Sequence, residues 1–423
     1  MGWRVEWPLM PDGTPYDGKN LFHLVQADKS PFDREWDVRL LIREIEEKLH
    51  TTVTDIPAID KGSNSYGFFL QTSDRSDLVA RLARGDVNMP DFDGFPADVQ
   101  AAEVRFEGAV YNLLQSEPDI RASRLLYFRA PVQQADSKPN TVPLDLRGRR
   151  LFVFEKSEGV KNVWKELTPS HKLLLLDQLA TSRAALFRYN PPRDFTDKFL
   201  HERLFEFRPD SLSMPVAPTR EFWSHVLEAK IKATIRNEGD MIGWEGDDGI
   251  VGPRALAAKE SLLRAIPYLL PPDTPEASLY RLVLEHGDFG IRNTTITTQE
   301  NGEPLLTSLF DWETACIWPA LLSDPLVAVS PVDLIVDEDA RPSATRLPKD
   351  TTPADLETYA AWASHYITKL YHEAPGYEAA IRARKDFRYL WYALRDWRGD
   401  DPEEFFGALG EWAERRTREI GGF

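Results

Sequence analysis

The sequence is short of the features that would commit a chain to an oxidising compartment, a membrane or a nucleic acid. It holds one cysteine, Cys316, in 423 residues, which leaves no internal disulfide and fits a reducing compartment. We read Cys316 as core packing. No apolar run approaches the roughly 18 residues of a membrane span, and the opening Met1-Gly2-Trp3-Arg4-Val5-Glu6-Trp7-Pro8 lacks the apolar core of a secretion signal. Glu6 stands where the myristoylation pattern wants Ser or Thr, so lipidation at Gly2 is not expected either. Basic residues are outnumbered: 51 Lys and Arg face 68 Asp and Glu, a formal net charge of −17. Neither nucleic acid nor an anionic membrane surface is an expected partner, because both need a cationic face. The expected location is the cytoplasm. No repeat, zinc-ligand spacing or Ser/His/Asp signature is found.

What is present is a chain long enough for two lobes, 42% hydrophobic and 28% charged, the composition of an ordinary globular enzyme. One stretch organises it. An apolar strand at Leu282-Val283-Leu284-Glu285 delivers His286-Gly287-Asp288-Phe289-Gly290-Ile291-Arg292-Asn293, and a second at Leu309-Phe310 delivers Asp311-Trp312-Glu313. Transfer of a γ-phosphoryl group to a hydroxyl needs a carboxylate to orient the hydroxyl and take its proton, and hard oxygen ligands to hold Mg²⁺ against the phosphates. Asp288 suits the first role, Asn293 and Asp311 the second, and His286 supports the geometry of the loop. Asp, a short loop and Asn follow the spacing of the kinase catalytic loop H-x-D-x-x-x-x-N. Asp288-Phe289-Gly290 spells the metal-binding triplet of protein kinases, yet its place between His286 and Asn293 assigns it to the catalytic loop. Gly287 stands where protein kinases carry Arg, and no Ala-Pro-Glu follows Asp311, so a protein kinase is the less favoured reading.

His286-Gly287-Asp288 with Asn293, followed by Asp311-Trp312-Glu313, resembles the aminoglycoside phosphotransferase family of small-molecule kinases, most closely its fungal branch. The resemblance implies the two-lobed protein-kinase-like fold shared with choline kinases, α+β in class. It implies a small lobe with an antiparallel sheet and one helix, and a larger, mostly helical lobe. It extends over about 62–325. An N-terminal arm and helix (1–57) are expected on a small nucleotide-binding lobe (58–157), followed by a catalytic and substrate lobe (158–423).

Lys61-Gly62-Ser63-Asn64-Ser65-Tyr66-Gly67 opens a hairpin whose loop, Gly62 to Ser65, would cover ATP phosphates, although a bland hairpin uses similar residues. Arg81 replaces the lysine of V-A-I-K. It can hold phosphate or carboxylate oxygens bidentately, but the two cations are not equivalent at a phosphate. A solvated strand Arg is the other reading. Its family partner is a helical Glu; Glu107 is favoured, with Glu103 as the alternative. Gly108 lies on the apolar side of that helix and weakens it. Phe154, Glu155 and Lys156 end the strand that the family uses as its adenine-binding hinge. Beyond them, Thr168-Pro169 opens a helix, and Asp324-Pro325 is expected to begin another and to anchor the catalytic loop. The acidic loop at 238–248 reads as a solvated turn, or as a lip for an amine-bearing substrate, and the cluster at 333–339 reads as solvated rather than functional. Long helices are expected over 353–370, 377–397 and 402–420.

The cofactors this implies are Mg²⁺ and ATP, with GTP equally open, and the acceptor is a small molecule, favoured electrostatically if cationic. A catalytically silent, nucleotide-binding or scaffold protein is the alternative. The sequence does not identify the acceptor.

Overall fold

The structure, a computed structural model, describes residues 6–10, 12–32, 36–74, 76–86, 97–132, 146–204, 208–235, 251–272, 278–397 and 401–421. The acidic stretch at 238–248 and Trp3 lie outside the described residues. In chain order come α1 (Leu21–Gln26), α2 (Val38–Leu49), β1 (Val53–Lys61), β2 (Ser65–Thr72), β3 (Asp77–Ala83), α3 (Ala97–Leu114), β4 (Leu125–Arg129) and β5 (Leu151–Glu155). They are followed by α4 (Pro169–Arg188), α5 (Arg193–Phe199), α6 (Arg220–Thr234), α7 (Val251–Leu269), β6 (Leu282–Glu285), β7 (Thr294–Thr298), β8 (Pro304–Leu309) and β9 (Cys316–Pro319). The chain closes with β10 (Val327–Ala328), β11 (Asp333–Val336), β12 (Pro342–Thr345), α8 (Pro353–Glu373), α9 (Pro375–Ala383), α10 (Lys385–Asp396) and α11 (Pro402–Gly421). These elements form two compact units: Met1–Lys161 with Asn293–Glu313, and Asn162–Arg292 with Thr314–Phe423.

The first unit is built on a five-stranded antiparallel sheet in the order β1-β2-β3-β5-β4. Strict alternation explains its faces. Tyr66, Phe68 and Leu70 of β2 and Leu78, Ala80 and Leu82 of β3 are buried in one core, shared with Leu41 and Ile45 of α2 and with Phe32 and Trp36. Arg81 therefore projects from the other face. The N-terminal arm is held on the core by Trp7, whose indole N–H donates to the Tyr16 carbonyl at 2.9 Å and whose ring packs against Tyr16, Phe32 and Tyr66. Beyond it, Glu6 pairs in full burial with Arg149 and accepts from the Tyr66 hydroxyl. Gly108 has a packing reason: a Cβ there would lie 2.7 Å from the ring of Phe128, so α3 approaches β4 only because the side chain is missing. The β7–β8 hairpin completes this unit, tied in by bridges from Ala122 to Leu309 and from Val160 to Ile296.

The second unit is mostly helical. Thr168 caps α4, accepting the His171 N–H at 3.2 Å, with Pro169 at the first helical position. α4 packs along α8, and α7 along α11. β6 pairs with β9, where Cys316 is buried as expected of a core residue.

Three expectations fail in this unit. Asp324-Pro325 starts no helix: the Asp324 carboxylate accepts the Leu326 N–H in a tight turn, and the chain enters β10 with Val327. The 333–339 cluster is not wholly solvated, because Asp333 begins β11 and is buried, paired with Arg346 at 3.0 Å; only the acids beyond Val336 occupy the exposed link to β12. The helix over 377–397 is broken at Arg384, whose guanidinium is drawn inward to the Ser323 carbonyl.

Candidate active site

In the first unit, the pairing of Thr294 with Leu309 brings the residues just beyond the hairpin to one end. The Phe310 N–H donates to the Asn293 carbonyl at 2.9 Å, and Asp311 follows with φ of +72°. Asn293 and Asp311 thus leave the hairpin at the same end. The Asp311 backbone is fixed by a 2.9 Å hydrogen bond from its N–H to the Tyr111 hydroxyl of α3. Its carboxylate accepts from the Arg81 guanidinium at 2.7 Å, and the other end of that guanidinium lies 3.6 Å from Glu107.

This cluster is electrostatically strained. Burial pushes the Glu107 carboxyl up to about 7, the nearby Arg81 charge opposes this, and the Glu313 and Asp311 carboxylates add to the rise. Burial would drain Arg81 of its proton, but the Asp311 and Glu107 carboxylates outweigh it and hold the guanidinium charged. Arg81 Nη1 and Glu107 Oε1 are buried and make no hydrogen bond among the described residues. A buried donor left without an acceptor costs about 1–3 kcal/mol, so the Arg81–Glu107 contact is an incompletely satisfied one.

The Gly62–Ser65 segment is a tight turn joining β1 to β2, closed by the Gly62 N–H to the Ser65 carbonyl at 2.9 Å. Sequence reading missed what holds it. Arg84 donates to the Gly62 and Ser63 carbonyls at 2.9 and 2.8 Å and is itself clamped by Asp86. Asn64 donates to the Glu313 carboxylate at 3.2 Å. The signal was present as Arg84-Gly85-Asp86 directly after β3, but nothing in sequence spacing points an arginine back across a sheet. Phe154 is buried against Tyr111, with ring centroids 4.8 Å apart. Glu155 and Lys156 turn their side chains outward to Arg124 and Asp77, and their backbone N–H groups donate to the carbonyls of Arg124 and Asp77.

In the second unit, β6 ends in Glu285 and the loop begins with His286, fully buried. The Asp288 N–H donates to His286 Nδ1 at 3.3 Å, so this ring is a neutral acceptor at Nδ1. Gly287 has φ of +80°, and a Cβ there would sit 2.2 Å from the Thr314 carbonyl oxygen; any side chain would force the loop off β9's approach. Asp288 is partly exposed, and both of its oxygens accept from Arg292 four residues on. Beneath the loop, Glu285 is buried, paired with Arg183, and accepts from the Ser323 hydroxyl at 2.9 Å and the Asp324 N–H at 3.3 Å. Asp324 is held in turn by Arg388. Arg292 and Glu285 were both in view in the sequence, but neither type is specific to a loop.

Among the described residues no group of three His, Cys, Asp or Glu side chains is set to hold a metal by itself. That agrees with the donor chemistry here: Mg²⁺ is usually held by one or two carboxylates with substrate phosphates and water, not by an all-protein cage. Asn293 and Asp311 fit such a site.

A family model described as the phosphotransferase enzyme family matches residues 55–322, more than half of the chain. No curated protein matches. Solved structures that match include an ADP-bound aminoglycoside phosphotransferase, at 11% identity over 91% of this chain and 99% of that chain, TM-score 0.39. A Plasmodium vivax ethanolamine kinase matches at 10% identity, 91% and 90%, TM-score 0.37. A macrolide 2'-phosphotransferase from Brachybacterium faecium matches at 13% identity, 88% and 97%, TM-score 0.36. These scores are too low to carry an argument, and the family rests on the sequence match.

Proposed function

Since this chain belongs to the phosphotransferase enzyme family, a family of small-molecule kinases, we propose that it moves the γ-phosphoryl group of ATP, with Mg²⁺, to a hydroxyl of an amine-bearing sugar, amino alcohol or similar molecule. The observation that carries this reading is the end of the β7–β8 hairpin, which Asn293 and Asp311 flank, with the Asp311 carboxylate on the Arg81 guanidinium. In this reading the first unit binds nucleotide and the second carries the acceptor and the reacting carboxylate. GTP is an equal candidate donor.

The chemistry follows from the residues. Asp288 accepts the acceptor hydroxyl's proton as its oxygen closes on phosphorus; to do so it must exchange Arg292 for the hydroxyl. His286, by taking the Asp288 N–H, fixes where that carboxylate begins. Arg81, positioned by Glu107, supplies fixed positive charge for the phosphates, and Asn293 and Asp311 would hold Mg²⁺. Bound there, the metal would neutralise charge on the phosphate oxygens. Positioning and preorganised charge account for most of the rate in this chemistry. An acceptor amine is supported by the net charge of −17.

One observation favours the silent alternative: both key carboxylates are already paired with the chain's own arginines, Asp311 with Arg81 and Asp288 with Arg292. Calorimetry of ATP and GTP, with and without Mg²⁺, on wild type and Asp311→Ala separates the two. Metal-dependent binding that weakens in the variant, followed by turnover on some amino alcohol or amino sugar, supports the kinase. Mg²⁺-nucleotide binding with no turnover on any acceptor leaves the scaffold.

A further inference from the structure

Arg81 stands where this kind of site would otherwise carry a lysine, and its guanidinium is committed to Asp311 on one side and Glu107 on the other. A second cation lies beside it. Lys161 ends the first unit's long segment, directly after Val160, whose backbone is bridged to Ile296 of β7. That tether points its side chain at the hairpin end: the ammonium sits 5.0 Å from the centre of the ring of Phe310, the residue that bonds the Asn293 carbonyl and directly precedes Asp311.

Lys161 is open to water, yet enough protein surrounds its ammonium that desolvation pulls its pKa below the ordinary lysine value, with Asp60 and Asp311 opposing and Arg81 adding to the fall. Among the described residues no carboxylate lies within ion-pair distance of it. Across the sheet, Asp60, Gly67 and Arg81 are paired in one row, and Gly67 contributes no side chain between the two charges. The row is therefore open in the middle. On Phe310 the ammonium receives only the modest attraction of an aromatic face.

We propose that Lys161 is a nucleotide-binding residue whose ammonium leaves Phe310 to pair with a phosphate oxygen of the bound nucleotide, supplying the mobile point charge that the clamped Arg81 cannot. It rests on the phosphotransferase reading and assigns that site a second cation. An ammonium on a flexible stem suits this role, because it binds phosphate as a point charge from any direction, where a guanidinium needs its fork aligned. Leaving Phe310 also uncovers an aromatic face for whatever apolar part of the nucleotide comes next to it.

The test is calorimetry of ATP, ADP and adenosine on wild type, Lys161→Met and Lys161→Arg, with melting temperatures as a check on folding. Because the side chain is exposed, both variants are expected to melt with wild type. Lys161→Met should weaken ATP and ADP about tenfold while adenosine changes less than about twofold, and Lys161→Arg, whose fork must align, should recover only part of the loss. Wild-type ATP affinity in Lys161→Met would overturn the assignment, as would an equal loss for adenosine, which would place the residue on the base. If wild type itself binds no nucleotide, the phosphotransferase reading falls and this inference with it. If wild type binds and Lys161→Met binds equally well, only the inference falls.

Discussion

Each unit keeps one buried arginine–glutamate pair next to a carboxylate of the candidate site, and the two pairs are finished differently. In the second unit, Arg183–Glu285 is complete on the acid side: Glu285 takes hydrogen bonds from the guanidinium, a hydroxyl and a backbone N–H, although burial still raises its pKa. In the first unit, Glu107 stands 3.6 Å from Arg81, and the facing atoms make no hydrogen bond. Burying charge is tolerable only when the lone pairs and protons are satisfied. Arg183 Nε lacks an acceptor, as Arg81 Nη1 does, but the carboxylate of the Arg183–Glu285 pair is fully bonded, and this pair is therefore the foundation that fixes where β6 releases the His286–Asp288 loop. In the other pair both facing atoms, Arg81 Nη1 and Glu107 Oε1, are left without a hydrogen bond.

The largest effect should come from the carboxylates the two pairs support. Asp288→Asn and Asp311→Ala are each expected to lower kcat by about a thousandfold, within the range for a lost general base, with the circular dichroism of the folded protein retained. Wild-type-like turnover in Asp311→Ala would defeat the assignment. Next comes the foundation itself. Arg183→Met leaves Glu285 buried without its cation and should cost about 3–5 kcal/mol of stability, read as the midpoint of urea unfolding. Arg81→Met should cost less than half as much, since Glu107 is already poorly paired and takes up a proton near neutrality. Equal losses in the two variants would erase the distinction between the pairs.

Much of this difference was out of reach of the sequence, for physical reasons. Legible were the residues whose chemistry and spacing coincide: Asp288, Asn293 and Asp311 sit at strand ends that apolar runs announce, and Arg81 lies in an alternating strand whose other face is core. Glu107 was reachable through the resemblance of 107–114 to the family's helix, with Glu103 as the alternative. The partners that decide energetics were not. Arg84, Arg292 and Arg183 are arginines like any other until the chain folds, and their targets are backbone carbonyls or carboxylates that no spacing rule connects. Strands β10 to β12 escaped because two to four residues show no period, and the acidic residues at their turn masked them. The break at Arg384 and the failed helix at Asp324 share one cause, a set of long-range contacts around Ser323 and Asp324 that overrides local preference.

The smallest effect sharpens the comparison most, because it depends on pH alone. A carboxyl whose pKa is raised by folding, from 4.5 to about 7 for Glu107, binds more protons in the folded state than in the unfolded one between those values. Its contribution to stability is therefore present below pH 4.5 and is lost as the pH rises towards 7. Glu107→Gln carries no titrating group, so its stability relative to wild type should improve steadily from about pH 5 to about pH 7.5 in parallel urea titrations. A flat difference for Glu107→Gln would mean that Arg81 holds this acid ionised throughout, and that the first pair, like the second, is part of the foundation.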